Sequence, residues 1–135
     1  MADFRRVTDT LYVAPQIRPE DVAEAKALGV TLIVNNRPEG EEAGQPEGDQ
    51  IASAAEAAGV AYLAVPVIGM PTPEQVGIMR AAVDAAQGKV LAFCRSGMRS
   101  ISTWALGRAE AGSHDRDALL TLGRDAGYDL SRLPL

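Results

Sequence analysis

One segment of the chain combines a nucleophile with two arginines: Cys94-Arg95-Ser96-Gly97-Met98-Arg99-Ser100. It contains the only cysteine of the 135 residues, follows the apolar run Val90–Phe93 and leads into a helical pattern over Ile101–Leu106. A strand, a tight glycine-containing turn and a helix start together form a cup of unpaired backbone N–H groups, which binds anions and stabilises a thiolate. A thiolate at the floor of such a cup, closed by Arg99, can attack phosphorus or sulfur.

The charges around Cys94 favour this chemistry over a structural role. A lone cysteine at the end of a strand is more often a small buried hydrophobic residue. However, the stretch from Gly88 to Arg108 contains no Asp or Glu, whereas the whole chain carries a net charge of −5. Its basic residues are Lys89, Arg95, Arg99 and Arg108. This local reversal of sign supports an anion site.

Length and composition predict one globular domain over residues 1–135, with 47% hydrophobic and 23% charged residues. A single cysteine excludes an intramolecular disulfide and fits the reducing cytoplasm. No apolar run approaches the roughly 20 residues that span a membrane, and the N-terminus lacks the apolar core of a signal peptide. Because the chain is acidic, we expect no nucleic acid partner and no membrane partner. The expected partner is a small anionic or phosphorylated substrate, and the oligomeric state stays open.

No metal or cofactor is expected. His114 is the only histidine, and its position between two helical segments predicts a surface residue. One histidine and one cysteine cannot form a zinc site of the usual type. The pair is equally unsupported as a protease dyad, since the two residues belong to different parts of the chain.

Alternating strands and helices predict a three-layer α/β fold, with a central, mostly parallel sheet of about four to five strands flanked by helices. The predicted strands are Leu11–Ala14, Thr31–Val34, Ala61–Val67 and Val90–Phe93. The predicted helices are Glu20–Leu28, Asp49–Ala58 and Pro73–Gln87, followed by helical segments to about Glu110 and from Asp115 to Arg124. Three of the helices precede a glycine that can supply a left-handed cap: Gly29, Gly59 and Gly88. Thr72 and Gln75 form a capping box, Ser113 is a candidate cap, and Gly127–Leu135 reads as a loose end that packs on the core.

In a parallel sheet, ligands bind beyond the carboxyl ends of the strands. Three segments should meet at that edge: Asn35–Arg37, Pro66–Gly69 and the Cys94 loop. Arg37 is either a second anion contact or a surface arginine paired with acids, and Asn36 is expected to brace the loop within the anion-binding set. The irregular segment 40–48 is either a solvated connector or a flap beside the site.

These residues resemble a known family. Asn35-Asn36-Arg37-Pro38-Glu39-Gly40-Glu41, then Gln45-Pro46, then the Cys94–Ser100 segment are similar to the phosphatase-like domain of beta-lactamase hydrolase-like proteins, and the resemblance runs from about Phe4 to Leu106. That domain is similar in fold to dual-specificity tyrosine phosphatases, which implies a cysteine-phosphatase-like fold. Members can be fused to a metallo-beta-lactamase-like hydrolase, and this chain, lacking a histidine cluster, is expected to stand alone.

The resemblance implies a role for each residue of the loop. Cys94 would attack a phosphate monoester, Arg99 would bind the equatorial oxygens, and the hydroxyl of Ser100 would help the thiolate to leave. The backbone of Arg95, Ser96, Gly97 and Met98 would form the cradle, with Arg95 also able to meet the substrate.

Three departures keep other functions open. Four residues separate Cys94 from Arg99, as in rhodaneses, whereas phosphatases have five. Phe93 stands where phosphatases usually have histidine. The loop Ile68–Thr72 has no aspartate to act as the general acid, although Glu39, Glu41 or Glu42 could replace it. The alternatives to phosphatase chemistry are therefore sulfur transfer through a Cys94 persulfide and a non-catalytic module that binds anions or phosphoproteins.

Overall fold

The computed structural model describes residues 2–135 and contains a five-stranded sheet of order β1-β2-β5-β3-β4. Its strands are β1 Arg5–Thr8, β2 Leu11–Ala14, β3 Val30–Asn35, β4 Ala61–Ala64 and β5 Lys89–Phe93. Only β1, at one edge, is antiparallel to its neighbour; the other pairs are parallel. Strand β5 lies in the middle, so the segment that follows Phe93 emerges between the ends of β2 and β3. The predicted mostly parallel sheet is confirmed.

Helices cover both faces of the sheet, as the expected three-layer arrangement requires. They are α1 Val22–Ala27, which follows a 3₁₀ turn at Pro19–Asp21, then α2 Gly48–Ala58, α3 Pro73–Ala85, α4 Met98–Ala111 and α5 Arg116–Asp125. Alternate residues of β5 serve the two layers. Leu91 and Phe93 pack with α1 and α2, whereas Val90 and Ala92 pack with α3, α4 and α5.

Strands β3 and β5 lie within one residue of their predicted bounds, whereas β4 and β1 differ more. Strand β4 ends at Ala64, three residues earlier than expected. Its partner β3 ends at Asn35, which pairs with Ala64, so no regular strand lies beside the residues that follow. The chain beyond β4 nevertheless stays attached to the active edge, because Val65 N–H donates to the Asn35 carbonyl at 2.9 Å and Val67 N–H donates to the Asn36 carbonyl at 2.9 Å. The edge strand β1 was not among the four predicted strands; it supplies the fifth.

Helix boundaries follow capping chemistry. The capping box of Thr72 and Gln75 is present, with the Thr72 side chain accepting the Gln75 N–H at 3.2 Å. Gly29 and Gly59 have the positive φ of left-handed caps. Gly88 does not: α3 ends earlier, at Ala85, and a side chain at Gly88 would collide with Thr31. The Ser113 cap was also wrong, because Asp115 caps α5 by accepting the Ala118 N–H at 2.8 Å.

The C-terminal segment packs on the core, as the sequence suggested. Tyr128, Leu130 and Leu133 are 7%, 1% and 7% exposed and belong to the α3–α4–α5 layer. Arg116 of α5 holds the segment from outside by donating to the carbonyls of Leu133 and Ser131 at 2.9 and 2.8 Å. The tail is therefore part of the folded unit.

Replacing Leu130 by alanine should lower the free energy of unfolding by roughly 2–4 kcal/mol, since it removes a fully buried side chain and leaves a cavity. The control is Leu28→Ala, because Leu28 is 38% exposed at the end of α1. Urea unfolding followed by circular dichroism measures both. Equal losses in the two variants would contradict the packing of the tail described above.

Candidate active site

The Cys94 loop connects the central strand β5 to helix α4 within four residues. Cys94 is fully buried and its N–H donates to the Ala14 carbonyl of β2 at 3.4 Å. The chain turns at Gly97, whose φ of +95° lies in the left-handed region that favours glycine, and α4 begins at Met98. This turn brings the Gly97 N–H to 3.1 Å from the Cys94 sulfur. The loop thus folds back so that one of its own backbone N–H groups contacts the Cys94 sulfur.

Several backbone N–H groups of the loop have no hydrogen-bond acceptor. Met98 N–H is satisfied by the Ser96 hydroxyl at 3.3 Å. Among residues 2–135, the N–H groups of Arg95, Ser96 and Arg99 have no acceptor. The last of these belongs to the first turn of α4, where N–H groups lack intrahelical partners and the helix dipole is positive. These unpaired N–H groups belong to the segment for which the sequence predicted an anion-binding backbone.

Arg99 is held in a fixed orientation. Its Nη1 donates to the Glu41 carboxylate and to the Val67 carbonyl, both at 2.8 Å, and its Nη2 donates to Glu41 at 2.9 Å. Of the five guanidinium N–H groups, the Nε–H and one Nη2–H keep no oxygen acceptor within residues 2–135. The hydrogen bonds with Glu41, and more weakly the negative charge of Cys94, raise the pKa of Arg99. Arg99 thus presents a free bidentate edge beside the sulfur.

Glu41 links two arginines. Besides its paired bonds to Arg99, it accepts a hydrogen bond from Arg37 Nε at 3.0 Å, and its side chain is 27% exposed. The hydrogen bonds from Arg99, and then those from Arg37, lower the pKa of Glu41 to about 2 against an opposing effect of burial. The carboxylate is therefore ionised at neutral pH and has no proton to donate in this arrangement. Glu41 orients Arg99 here instead of acting as the missing acid.

The other two acids considered from the sequence are also engaged. Glu42 accepts from Arg37 at 3.1 Å and lies 3.6 Å from Arg95. Glu39 accepts the Gly48 N–H at 2.9 Å, at the start of α2. The loop Ile68–Thr72 contains no acid.

Arg37 does not form the second anion contact considered from the sequence. Its side chain is 2% exposed, and its guanidinium is shared among Gln16 at 3.1 Å, Glu41 and Glu42. A buried guanidinium needs such partners, and they hold the segment that carries Glu41. Arg37 is a scaffold for the flap.

Asn36 braces the edge and does not reach an anion. Its side chain is fully buried and donates to the Val65 carbonyl at 3.0 Å, which ties the end of β3 to the segment after β4. This is the bracing role considered from the sequence, and the burial removes Asn36 from the substrate-contacting set.

Two loop side chains have surroundings that fit different tasks. Arg95 is 66% exposed at the mouth of the loop, where Glu42 is its ionic neighbour. Ser100 is fully buried, and its hydroxyl has no hydrogen-bond partner among the described residues. An unpaired buried hydroxyl is destabilising, so Ser100 keeps the capacity to donate a further hydrogen bond.

Segment 40–48 is a flap. Glu41 N–H donates to the Gln45 side chain at 2.9 Å, and that side chain donates to the Pro38 carbonyl at 2.9 Å. These bonds turn the segment back on itself and place Glu41 against Arg99. The flap interpretation therefore accounts for the contacts better than a solvated connector does.

Two residues were missing from the sequence-derived site. Gln16 donates its N–H to the Arg95 carbonyl at 3.3 Å and accepts from Arg37. Tyr128 donates its hydroxyl to the Ser96 carbonyl at 2.9 Å. Gln16 lies two residues beyond the predicted strand Leu11–Ala14, so the rule on strand ends could have found it. Tyr128 belongs to no motif, so only the tertiary structure could find it.

The fold and the loop define a class: the chain has the fold of the cysteine phosphatases. The solved structure of Tk-PTP in its active form covers 96% of this chain, which covers 88% of Tk-PTP, with a TM-score of 0.72 and 16% identity. A crystal structure of a candidate phosphatase from Neisseria meningitidis Z2491 is more similar, with a TM-score of 0.85, 30% identity and coverage of 97% and 93% of the two chains. The resemblance in fold therefore extends over nearly the whole chain.

The sequence comparison identifies the family within this class. Residues 3–111 match the phosphatase-like domain of beta-lactamase hydrolase-like proteins, and the chain belongs to that family. It is 35% identical over 127 residues to the beta-lactamase hydrolase-like protein of Xylella fastidiosa Temecula1. The match covers 93% of this chain and 30% of that relative, so the chain spans less than a third of its length.

Two further features of residues 2–135 concern the types of site that they contain. None of their helices has the length and apolar character of a membrane span. They also contain no group of three or more His, Cys, Asp and Glu side chains arranged to hold a metal ion.

Glu41→Gln should destabilise the protein in a pH-dependent way. The pKa of Glu41 is about 2 in the folded protein against an ordinary 4.5, so its stabilisation is complete above about pH 5 and is lost as the pH falls towards 2. We expect the variant to lose about 1 kcal/mol of unfolding free energy at pH 7 and to approach wild type near pH 2. Urea unfolding at a series of pH values measures this difference.

The control for this prediction is Glu56→Gln, because Glu56 is an exposed residue of α2. It should follow wild type at every pH. A constant gap between the Glu41 variant and wild type from pH 7 to pH 3 would contradict the ion pair as the cause.

Proposed function

We propose that this protein hydrolyses phosphate monoesters through a phosphocysteine formed on Cys94. The observation that carries the proposal is the arrangement around the sulfur: Gly97 N–H bonds to it, and Arg99 is locked by Glu41 and Val67 with a bidentate edge free. Planar guanidinium edges match phosphate oxygens, and preorganised donors stabilise the charge of the transition state. The family and the phosphatase fold support the same chemistry.

In the first step the Cys94 thiolate attacks phosphorus. A sulfur–phosphorus bond forms, the bond from phosphorus to the ester oxygen breaks, and the ester oxygen leaves with the electron pair and takes a proton from water. The free edge of Arg99 and the N–H groups of Arg95, Ser96 and Arg99 receive the phosphoryl oxygens. Since Glu41 and Glu42 are paired with arginines and the loop Ile68–Thr72 contains no acid, the reaction favours leaving groups of low basicity, such as aryl oxides.

In the second step water attacks phosphorus and the sulfur–phosphorus bond breaks. The sulfur departs as a thiolate, and inorganic phosphate carries the oxygen and protons of the water. The buried Ser100 hydroxyl, which has no partner in the resting site, donates to the departing sulfur. The N–H of Gly97 is the second donor to that charge.

Sulfur transfer is the rival, and one observation favours it: only four residues separate Cys94 from Arg99. In that reaction the thiolate would accept the outer sulfur of a donor such as thiosulfate, releasing sulfite. The resulting persulfide would pass its sulfur to cyanide, releasing thiocyanate. No proton donor is needed for either step, so the absence of a free acid would matter less.

A side-by-side assay on one preparation separates the functions. We expect wild type to release phosphate from p-nitrophenyl phosphate and both Cys94→Ser and Arg99→Ala to lose this activity, by roughly 100-fold or more. Arg124→Ala, in an exposed part of α5, is the matched control and should retain activity. Continued phosphate release by Cys94→Ser would refute the nucleophilic role.

The same preparation treated with thiosulfate tests the rival. Intact-protein mass spectrometry would show one added sulfur atom on Cys94, which cyanide removes, if the protein were a sulfurtransferase. Such an adduct without phosphate release would replace the proposed function. A protein with neither activity, whose phosphate affinity survives Cys94→Ser and falls in Arg99→Ala, would be a binding module.

Ser100→Ala should slow the breakdown of the phosphocysteine more than its formation. Removing one hydrogen bond to a charged leaving group corresponds to roughly a 10- to 100-fold lower kcat. Rapid-mixing assays should then show a burst of p-nitrophenol before the slow steady state. Ser102→Ala, which alters a buried serine of the same helix, is the control and should show neither change.

A further inference from the structure

Tyr128 contacts the Cys94 loop from beyond residues 3–111, the segment that matches the phosphatase-like domain. The match ends at residue 111, whereas Tyr128 belongs to the C-terminal segment that packs on the core. The side chain is buried, and its hydroxyl donates to the Ser96 carbonyl at 2.9 Å. A Cβ atom at Gly97 would overlap this hydroxyl, so the ring and the turn are in close contact.

The carbonyl that Tyr128 binds and the N–H that binds the sulfur belong to one peptide unit. The Ser96 carbonyl accepts from Tyr128, and the Gly97 N–H of the same planar group donates to Cys94 at 3.1 Å. Because the peptide group is planar and trans, its carbonyl and N–H point in opposite directions. A bond that fixes the carbonyl on the outside therefore fixes the N–H towards the sulfur.

This lock matters because the turn is at a glycine. Glycine adopts left-handed and right-handed conformations with similar ease, so the peptide before Gly97 has little intrinsic preference for its orientation. If that peptide flipped, its carbonyl oxygen would replace the N–H beside the thiolate and would repel it. Hydrogen bonds in series also polarise one another, so a donor at the carbonyl strengthens the N–H as a donor.

We propose that Tyr128 is a positioning residue for the nucleophile, which acts through the Ser96–Gly97 peptide to stabilise the Cys94 thiolate. The proposal rests on the proposed function in that Cys94 is taken as the nucleophile. It assigns to the C-terminal segment a part in the chemistry of the loop.

The hydroxyl of Tyr128 is a donor over the whole range in which the site would work. Burial raises the pKa of Tyr128 above its ordinary value of 10, and the charge of Cys94 adds to this, whereas nearby Arg5 opposes it. The Arg5 guanidinium lies 5.0 Å from the ring centre and is paired with Asp3. Arg5 therefore lies against the ring while the hydroxyl donates to the Ser96 carbonyl.

Several charged groups lie around the loop and Tyr128, and a test variant must leave their charges unchanged. Arg99 from α4 and Arg95 from the loop are basic, and Glu41 and Glu42 of the flap pair with them. On the side of β1, Arg5 and Asp3 lie near Tyr128. A tyrosine-to-phenylalanine change alters none of these charges and keeps the buried ring.

The test is the pH dependence of Cys94 alkylation in Tyr128→Phe. Cys94 is the only cysteine of the chain, so the rate of reaction with iodoacetamide reports this thiolate alone. We expect the pH of half-maximal rate to rise by roughly half a unit to one unit in the variant. The matched control is Tyr62→Phe, because the Tyr62 hydroxyl makes a bond of the same length, 2.9 Å, with Asn35 away from the loop.

The outcomes separate clearly. A profile of Tyr128→Phe that overlays wild type, or an equal shift in Tyr62→Phe, would overturn the proposal. Because alkylation requires no phosphatase substrate, the result stands even if p-nitrophenyl phosphate is not hydrolysed, so the two proposals fail independently.

A measurement on the wild-type protein removes any dependence on the stability of the variant. The NMR signal of the Tyr128 ring carbon that bears the hydroxyl should move with pH at the same midpoint as the alkylation rate. The reason is that the Ser96–Gly97 peptide connects this hydroxyl to the Cys94 sulfur. The corresponding signal of Tyr62 should stay constant at that pH. A Tyr128 signal that does not respond at the alkylation midpoint would contradict the coupling.

Discussion

The burial of one arginine organises the active edge of this protein. Arg37 follows the end of β3 with its side chain 2% exposed, and a buried guanidinium is destabilising unless its donors are matched by acceptors. Its partners are Gln16 from the loop after β2 and Glu41 and Glu42 from the flap. Satisfying Arg37 therefore fixes the flap, and the flap in turn places the Glu41 carboxylate against Arg99. The orientation of Arg99 thus depends on the buried charge of Arg37, which follows the neighbouring strand β3.

The surroundings of Cys94 distribute the stabilisation of a thiolate over several weak contributors. The histidine that usually precedes the nucleophile in phosphatases is Phe93 here, and Phe93 is buried in the layer of α1 and α2. What remains is the Gly97 N–H, the positive end of α4 and the guanidinium of Arg99. Each of these is effective only if the loop keeps one conformation, and Gln16 and Tyr128 contact the loop from outside through the Arg95 and Ser96 carbonyls.

The arrangement of acids suits some phosphate esters better than others. A carboxylate with its pKa lowered to about 2 by two arginines orients its partners but supplies no proton at neutral pH. The Ile68–Thr72 loop has no acid, and its first residue, Ile68, is 82% exposed directly after Val67, whose carbonyl binds Arg99. Under the proposed function, the rim beside the arginine is apolar where a proton donor would be expected. A site with such a rim favours esters whose leaving groups depart without receiving a proton.

The sequence alone determined the architecture and the position of the Cys94 loop, because both depend on local patterns. Alternating apolar runs and alanine-rich helical segments indicated a parallel sheet, and the strand–Cys94–glycine–helix order placed the loop at its carboxyl edge. The capping box at Thr72 and the left-handed caps at Gly29 and Gly59 were likewise predictable from the local sequence. Errors arose where local signals competed, as at β4, where an apolar run continued through Pro66, and at α5, where Asp115 capped in place of Ser113.

Only the tertiary structure decided what Arg37, Glu41 and Tyr128 do. Arg37 looked like a possible anion contact because it follows a strand end, and its burial gives it a different task. Glu41 could have been an acid, and its pairing with Arg99 makes it an orienting carboxylate. Tyr128 carries no local signal, since its hydroxyl meets a carbonyl 32 residues earlier in the chain. The types and order of residues specify which groups can react, whereas charge pairing and long-range hydrogen bonds, which depend on packing, specify how they are held.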